Sequence, residues 1–177
     1  MANRKRQQLV DALWPTGAAS SMGAWVILDA ARDPRIYGAV DGSYLDKCCL
    51  FAGDLPWQLQ MTAPYLVQLR SDDHLTGYIG DYGLGNAWGI FIRSEAGIKT
   101  LRRHFRGFLR VRDRQGRRLL FRYYDPRVMR VYLPTCTKDE LETVFGPVNE
   151  YLVESEEGIL LRYRLDGGRL KEESAAG

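Results

Sequence analysis

An α+β fold, a single domain with a largely antiparallel sheet flanked by helices, is what this sequence predicts, and three features predict it. Short apolar runs of strand length sit between Gly, Pro and Asp punctuation, several close enough in sequence to pair locally. Helix starts with acidic or hydroxyl caps separate some of these runs. A regular strand–helix alternation, which would mark a parallel sheet, is not evident. With 177 residues, 45% of them apolar, the chain has material for one core rather than two.

The elements follow in order. Residues 2–13 read as a short helix with Leu9, Val10 and Leu13 on one side, ended by Trp14-Pro15-Thr16-Gly17. Residues 1–20 are expected to form a loosely docked helical arm ahead of the main domain at 21–166. The apolar run at 25–28 reads as a buried strand. Asp33-Pro34 then suits a helix start, with an acidic cap and Pro at the first helical position. Further strands are expected at 47–52, 65–69 and 88–92, with the glycine-rich stretch 77–89 as a separating loop. Ser94 can cap a helix to about residue 108, where Ile98, Leu101, Phe105 and Phe108 recur at helical spacing and Arg102, Arg103 and Arg106 occupy the opposite face. His104 lies beside those arginines and reads as an exposed face residue.

Two alternating runs come next, FLRVRD and RRLLFRYYD, around a Gln-Gly turn signal. A three-residue loop 114–116 with Gly116 left-handed pairs Val111 with Leu119 and Leu109 with Phe121 on one face. Those apolar pairs then face inward, and the other face gathers Arg110, Arg112, Arg118 and Arg122. Like charges across strands repel, so that face wants carboxylates or an anionic ligand. Asp125-Pro126 starts a further helix, and Thr137 with Glu140 forms a capping box for another, ended by Gly146-Pro147. Residues 150–154 and 159–165 read as a terminal hairpin, and residues 167–177 as a flexible, frayed tail.

Charge narrows the function. The net value of +3 hides segments of −2 (residues 1–98), +10 (99–130) and −5 (131–177). The central block needs an acidic partner inside or outside the chain. No apolar run suits a secretory signal or a bilayer span, so a cytoplasmic protein with no membrane partner is expected. Three cysteines without CxxC and only two histidines, His74 and His104, give no framework for a structural metal or disulfides. No cofactor motif is present: the run GYIGDYGLGNAWG lacks the Gly-Lys-Ser/Thr ending of a phosphate loop, and turn-forming glycine explains it.

Several signatures occur together: APYLVQL at 63–69, WGIFIRS at 88–94, LRRHFRGFLRVRD at 101–113, LLFRYYDPRV at 119–128 and LPTC at 133–136. In that order they resemble the bacterial family of type VI secretion effector adaptors, chaperones of the Tap/TEC kind formerly known only as a domain of unknown function. The resemblance spans residues 25–153. It implies a non-catalytic protein that binds a cognate toxic effector and promotes its loading onto the spike protein VgrG. It carries no catalytic residues, and transfers only the motif Tyr124-Asp125-Pro126-Arg127 behind the basic strand pair. The expected effector-binding residues are therefore Arg110, Arg112, Arg118, Arg122, Tyr124 and Arg127.

Simpler readings stand beside these. The arginine face can pair internally with Glu150, Glu154, Glu156 and Glu157 of the terminal hairpin. The 99–130 segment, with Tyr123, Tyr124 and Tyr132 nearby, could instead hold nucleic acid by phosphate contacts and base stacking, although no nucleic-acid-binding motif accompanies it. Cys48 or Cys49 with a histidine could form a nucleophile and base, but cysteine in an apolar strand is commonly an inert core thiol. Trp57 and Trp88 read as core or rim aromatics.

Overall fold

The computed structural model describes residues 2–17, 21–112 and 114–175. Residues 1 and 18–20 of the expected arm, Asp113 of the hairpin run, and residues 176–177 of the expected tail lie outside the described residues.

The strands in chain order are β1 (Gly23–Asp29), β2 (Lys47–Cys49), β3 (Pro64–Leu69), β4 (Gly89–Ser94), β5 (Arg110–Arg112), β6 (Arg118–Leu120), β7 (Glu150–Glu154), β8 (Leu160–Asp166) and β9 (Arg169–Ser174). Seven form one sheet in the order β2-β3-β1-β4-β7-β8-β9, with antiparallel pairing throughout. β5 and β6 form a separate two-stranded ribbon. The helices are α1 (Ala2–Leu13), α2 (Pro34–Asp41), α3 (Trp57–Gln60), α4 (His74–Tyr78), α5 (Ile98–Phe108), α6 (Pro126–Tyr132) and α7 (Lys138–Phe145). The result is a single α+β domain.

Period-two alternation along the central strand explains why both faces of the sheet are covered. Ala24, Val26 and Leu28 of β1 pack with Leu9 and Leu13 of α1, Ile36 and Val40 of α2 and Leu75 of α4. Trp25 and Ile27 face the other way, against Leu101 and Phe105 of α5, Met129 of α6 and Leu141 of α7. The antiparallel sheet is thus the middle of three layers.

Local signals place the helix starts. Asp33 and Asp125 each accept a hydrogen bond from the backbone two residues on, at 2.9 and 3.0 Å, ahead of a proline at the first helical position. Thr137 and Glu140 make the reciprocal capping box. Ser94 does not cap α5. It is buried at the end of β4, where its hydroxyl donates to the Pro147 carbonyl, and Gly97 precedes the helix instead.

Four other expectations are corrected. The N-terminal helix is no loose arm: Leu9 and Leu13 are fully buried, Lys5 Nζ donates to the Leu84 carbonyl at 2.7 Å, and Arg162 Nη2 donates to the Ala12 carbonyl at 2.9 Å near the helix end. The glycine-rich stretch is not simply a loop, because α4 runs into a π-helical turn at Ile79–Gly83 against which α1 packs. A Cβ on Gly80 would stand 2.7 Å from Arg6 Cα, so the glycine permits the backbones to approach. Residues 169–174 of the expected tail form β9, held by strand pairing to β8 and by an Arg164–Glu173 ion pair. Finally, His104 is half-buried rather than exposed, with Nε2 2.9 Å from the Val144 carbonyl and its ring edge-on to Phe108.

A candidate interaction site on the basic ribbon

α5 delivers the chain to the ribbon. Its Leu101 and Phe105 are buried, while Arg102 and Arg103 are exposed. Arg106, on the same polar side, is occupied: its guanidinium donates to the carbonyls of Cys49, Leu50 and Phe51 at 3.2, 3.1 and 2.8 Å. This cation therefore pins the segment after β2 rather than serving as a free charge.

The ribbon has the expected register. Val111 stands opposite Leu119, and Phe121 N donates to the Leu109 carbonyl at 2.9 Å. Gly116 has φ +77, the left-handed value the three-residue turn requires. Its apolar face, however, is not inward. Val111 and Leu119 are 38% and 46% exposed, and Leu120, on the arginine face opposite Arg110, is 50% exposed. Only Leu109 at the base is buried. The reason is topological: the ribbon belongs to no larger sheet, so neither face has a layer to pack on.

Arg110, Arg112 and Arg118 are exposed on this ribbon, Arg112 directly opposite Arg118. Among the described residues no carboxylate makes an ion pair with any of the three. The acidic terminal hairpin is engaged elsewhere. Glu150 Oε2 receives Arg93 Nη1 at 3.1 Å and Arg162 Nη1 at 2.8 Å, Glu154 accepts from the Gly85 and Ala87 amides, and Glu156 meets Arg130 at 3.4 Å.

The other three expected residues lie apart from the ribbon arginines, around the end of β1. Arg122 forms an ion pair with Asp29, which is 1% exposed. Tyr124 is buried, and burial followed by the Asp29 charge pushes its phenol up to about 12. Arg127 bonds through Nε and Nη2 to Asp125 at 3.0 and 2.6 Å. Burial would raise the Asp125 carboxyl, but these bonds together hold it below its ordinary value. The expected set is thus two sets: three exposed ribbon arginines that no carboxylate among the described residues pairs, and an internally paired cluster that braces the start of α6.

Sequence reasoning missed the wall facing the ribbon. A groove of about 460 Å³ is lined by Leu119 and Leu120 of the ribbon together with Phe51, Leu55 and Leu59, and Arg110 and Arg118 belong to the same lining. Leu59 on α3 is 47% exposed. The available signal was the segment Leu55-Pro56-Trp57-Gln58-Leu59, whose large apolar residues fit no amphipathic core helix. A neighbouring cavity, sharing Phe51, Leu55 and Arg106, is lined by Cys48 and Cys49 with Arg102. Burial pushes both thiols up, which keeps them protonated, and neither His74 nor His104 lines that cavity. Tyr123 is also buried, with its hydroxyl donating to the Phe105 carbonyl at 3.0 Å. Among the described residues no group of three or more His, Cys, Asp or Glu could hold a metal, and no helix is long and apolar enough to cross a membrane.

Residues 24–143 match a family described as a domain of unknown function, DUF4123. The chain belongs to the DUF4123 family. No curated protein and no solved structure matches it. The DUF4123 match runs from β1 into α7, so it contains the ribbon, the Leu50–Leu59 wall and every expected site residue. It leaves outside α1, which Lys5 ties to the Leu84 carbonyl, and β7–β9, which the Arg93–Glu150 ion pair and the pairing of β7 with β4 join to it.

Proposed function

We propose that this DUF4123 protein is a non-catalytic, cytoplasmic type VI secretion adaptor that binds a cognate toxic effector and promotes its loading onto VgrG. The reading rests on the five sequence blocks that resemble the adaptor family. One structural observation supports it above the others: the ribbon presents exposed Val111, Leu119 and Leu120 beside Arg110, Arg112 and Arg118.

Exposed aliphatic side chains next to guanidinium groups that no carboxylate among the described residues neutralises are what a protein-binding patch needs. Covering the exposed half of each leucine contributes about 1 kcal/mol. Arginine adds planar, bidentate contacts to carboxylates, which fix orientation as well as attraction. Arg122, Tyr124 and Arg127 would act behind the surface, by holding the end of β1 and the start of α6. No cofactor or metal enters this function, because recognition and release involve no bond chemistry.

Affinity capture with the tagged chain from its host, followed by mass spectrometry at low and moderate salt, tests the reading. Recovery of one large toxin-like protein, with or without VgrG, is expected. Recovery of nucleic acid alone, lost as salt rises, would favour phosphate binding by the 99–130 segment instead. The burial of Tyr123 and Tyr124 weighs against that outcome, since neither ring offers a stacking face.

A further inference from the structure

We infer that the groove between the β5–β6 ribbon and α3 receives an acidic amphipathic helix of the partner protein, an inference that rests on the adaptor reading above. Its lining is mainly aliphatic, with Leu119 and Leu120 from the ribbon and Leu50, Leu55 and Leu59 from the segment after β2. Leu59, Leu119 and Leu120 are each close to half exposed, so the groove is open and unfilled by the described residues. Arg110 and Arg118 line the ribbon side, within a segment of net charge +10. No carboxylate among the described residues forms an ion pair with either of them. The occupant must therefore be apolar along its centre and acidic along its flank.

Two features select a helix over an extended strand. Strand addition engages the backbone edge of one strand, whereas this groove is lined by residues of both ribbon strands and of the 50–59 segment together. A helix with apolar residues at i, i+3 or i+4 and i+7 offers a continuous stripe to this aliphatic lining, and places glutamates one turn apart beside it. Single-stranded nucleic acid is disfavoured because the lining is mainly aliphatic, with Phe51 as its aromatic residue.

The test uses the full chain and a labelled synthetic peptide of about 15 residues, with leucines at helical spacing and glutamates on either side of them. Fluorescence anisotropy is expected to give Kd at or below about 100 μM. The double variant R110E/R118E is expected to weaken binding at least about tenfold, ~1.4 kcal/mol. A probe with Lys for Glu should fail on the wild-type chain and bind the reversed variant, a swap that a misfolded variant could not produce. Equal binding of a peptide with the same composition but leucines off helical spacing overturns the inference, as does no saturation up to about 1 mM. Displacement of the probe by duplex oligonucleotide or phosphatidylglycerol vesicles, without discrimination between probes, overturns it in favour of a polyanionic surface. Host-partner retention that depends on Arg110 and Arg112 while the probe fails would sink the helix and leave the adaptor reading standing. Probe binding without any retained partner would do the reverse.

Discussion

Glu150 is the residue on which the far half of the sheet turns. It is 7% exposed and takes Arg93 from β4 and Arg162 from β8 on one oxygen, so three adjacent strands share a buried charge cluster. Glu150→Gln would leave buried Arg93 without its counter-charge and Arg162 with only the half-exposed Glu173 at 3.9 Å, and a loss of about 3 kcal/mol is expected from urea unfolding. His104 gives a pH dependence. Burial lowers its pKa from the ordinary value near 6.5, so the unfolded chain binds the proton more readily. The stability this contributes is present above about 6.5 and is lost as pH falls from there through the lowered folded value. Thermal melts should decline over that window, and the His104→Gln variant should decline less. At this scale caps and turns were legible in the sequence, because Asp33, Asp125, Thr137 and Gly116 act on neighbours a few residues away. The Arg122–Asp29 pair was not: the two are 93 positions apart, and nothing local marks Asp29 as its partner.

Elements show a different mixture. Apolar strands were visible because their side chains must be buried on both faces, as in β1 and β4. β9 was not, since its RLKEES sequence is held by backbone pairing and ion pairs rather than apolar burial. The docked α1 was missed because its seat is made by absent side chains. Gly80→Ala should therefore lower stability by about 1–3 kcal/mol, as overpacking does, and should raise hydrogen exchange in α1 before it does so in β1. The isolated ribbon should exchange faster than any strand of the seven-stranded sheet, since two three-residue strands with exposed side chains lack the burial that slows opening. Protection of residues 110–120 as slow as that of β1 in the free protein would contradict this account of the ribbon.

For the whole molecule, the α+β class followed from pattern, but the strand order and the three layers depend on long-range pairing that periodicity does not encode. The charge segregation was legible as arithmetic, and the structure gives it a shape. In the acidic terminal third Glu150 and Glu173 pair with arginines of the sheet, whereas the basic block divides into cations that brace the fold, such as Arg106 and Arg122, and cations left on the ribbon. Effector capture is the proposed role of these ribbon arginines. Its most direct test is the affinity of the captured partner for wild-type protein and for the Arg110→Glu/Arg112→Glu variant, with folding checked by circular dichroism. A loss of more than about tenfold, ~1.4 kcal/mol, is predicted. Unchanged affinity in a folded variant would contradict the claim and remove this face from the mechanism.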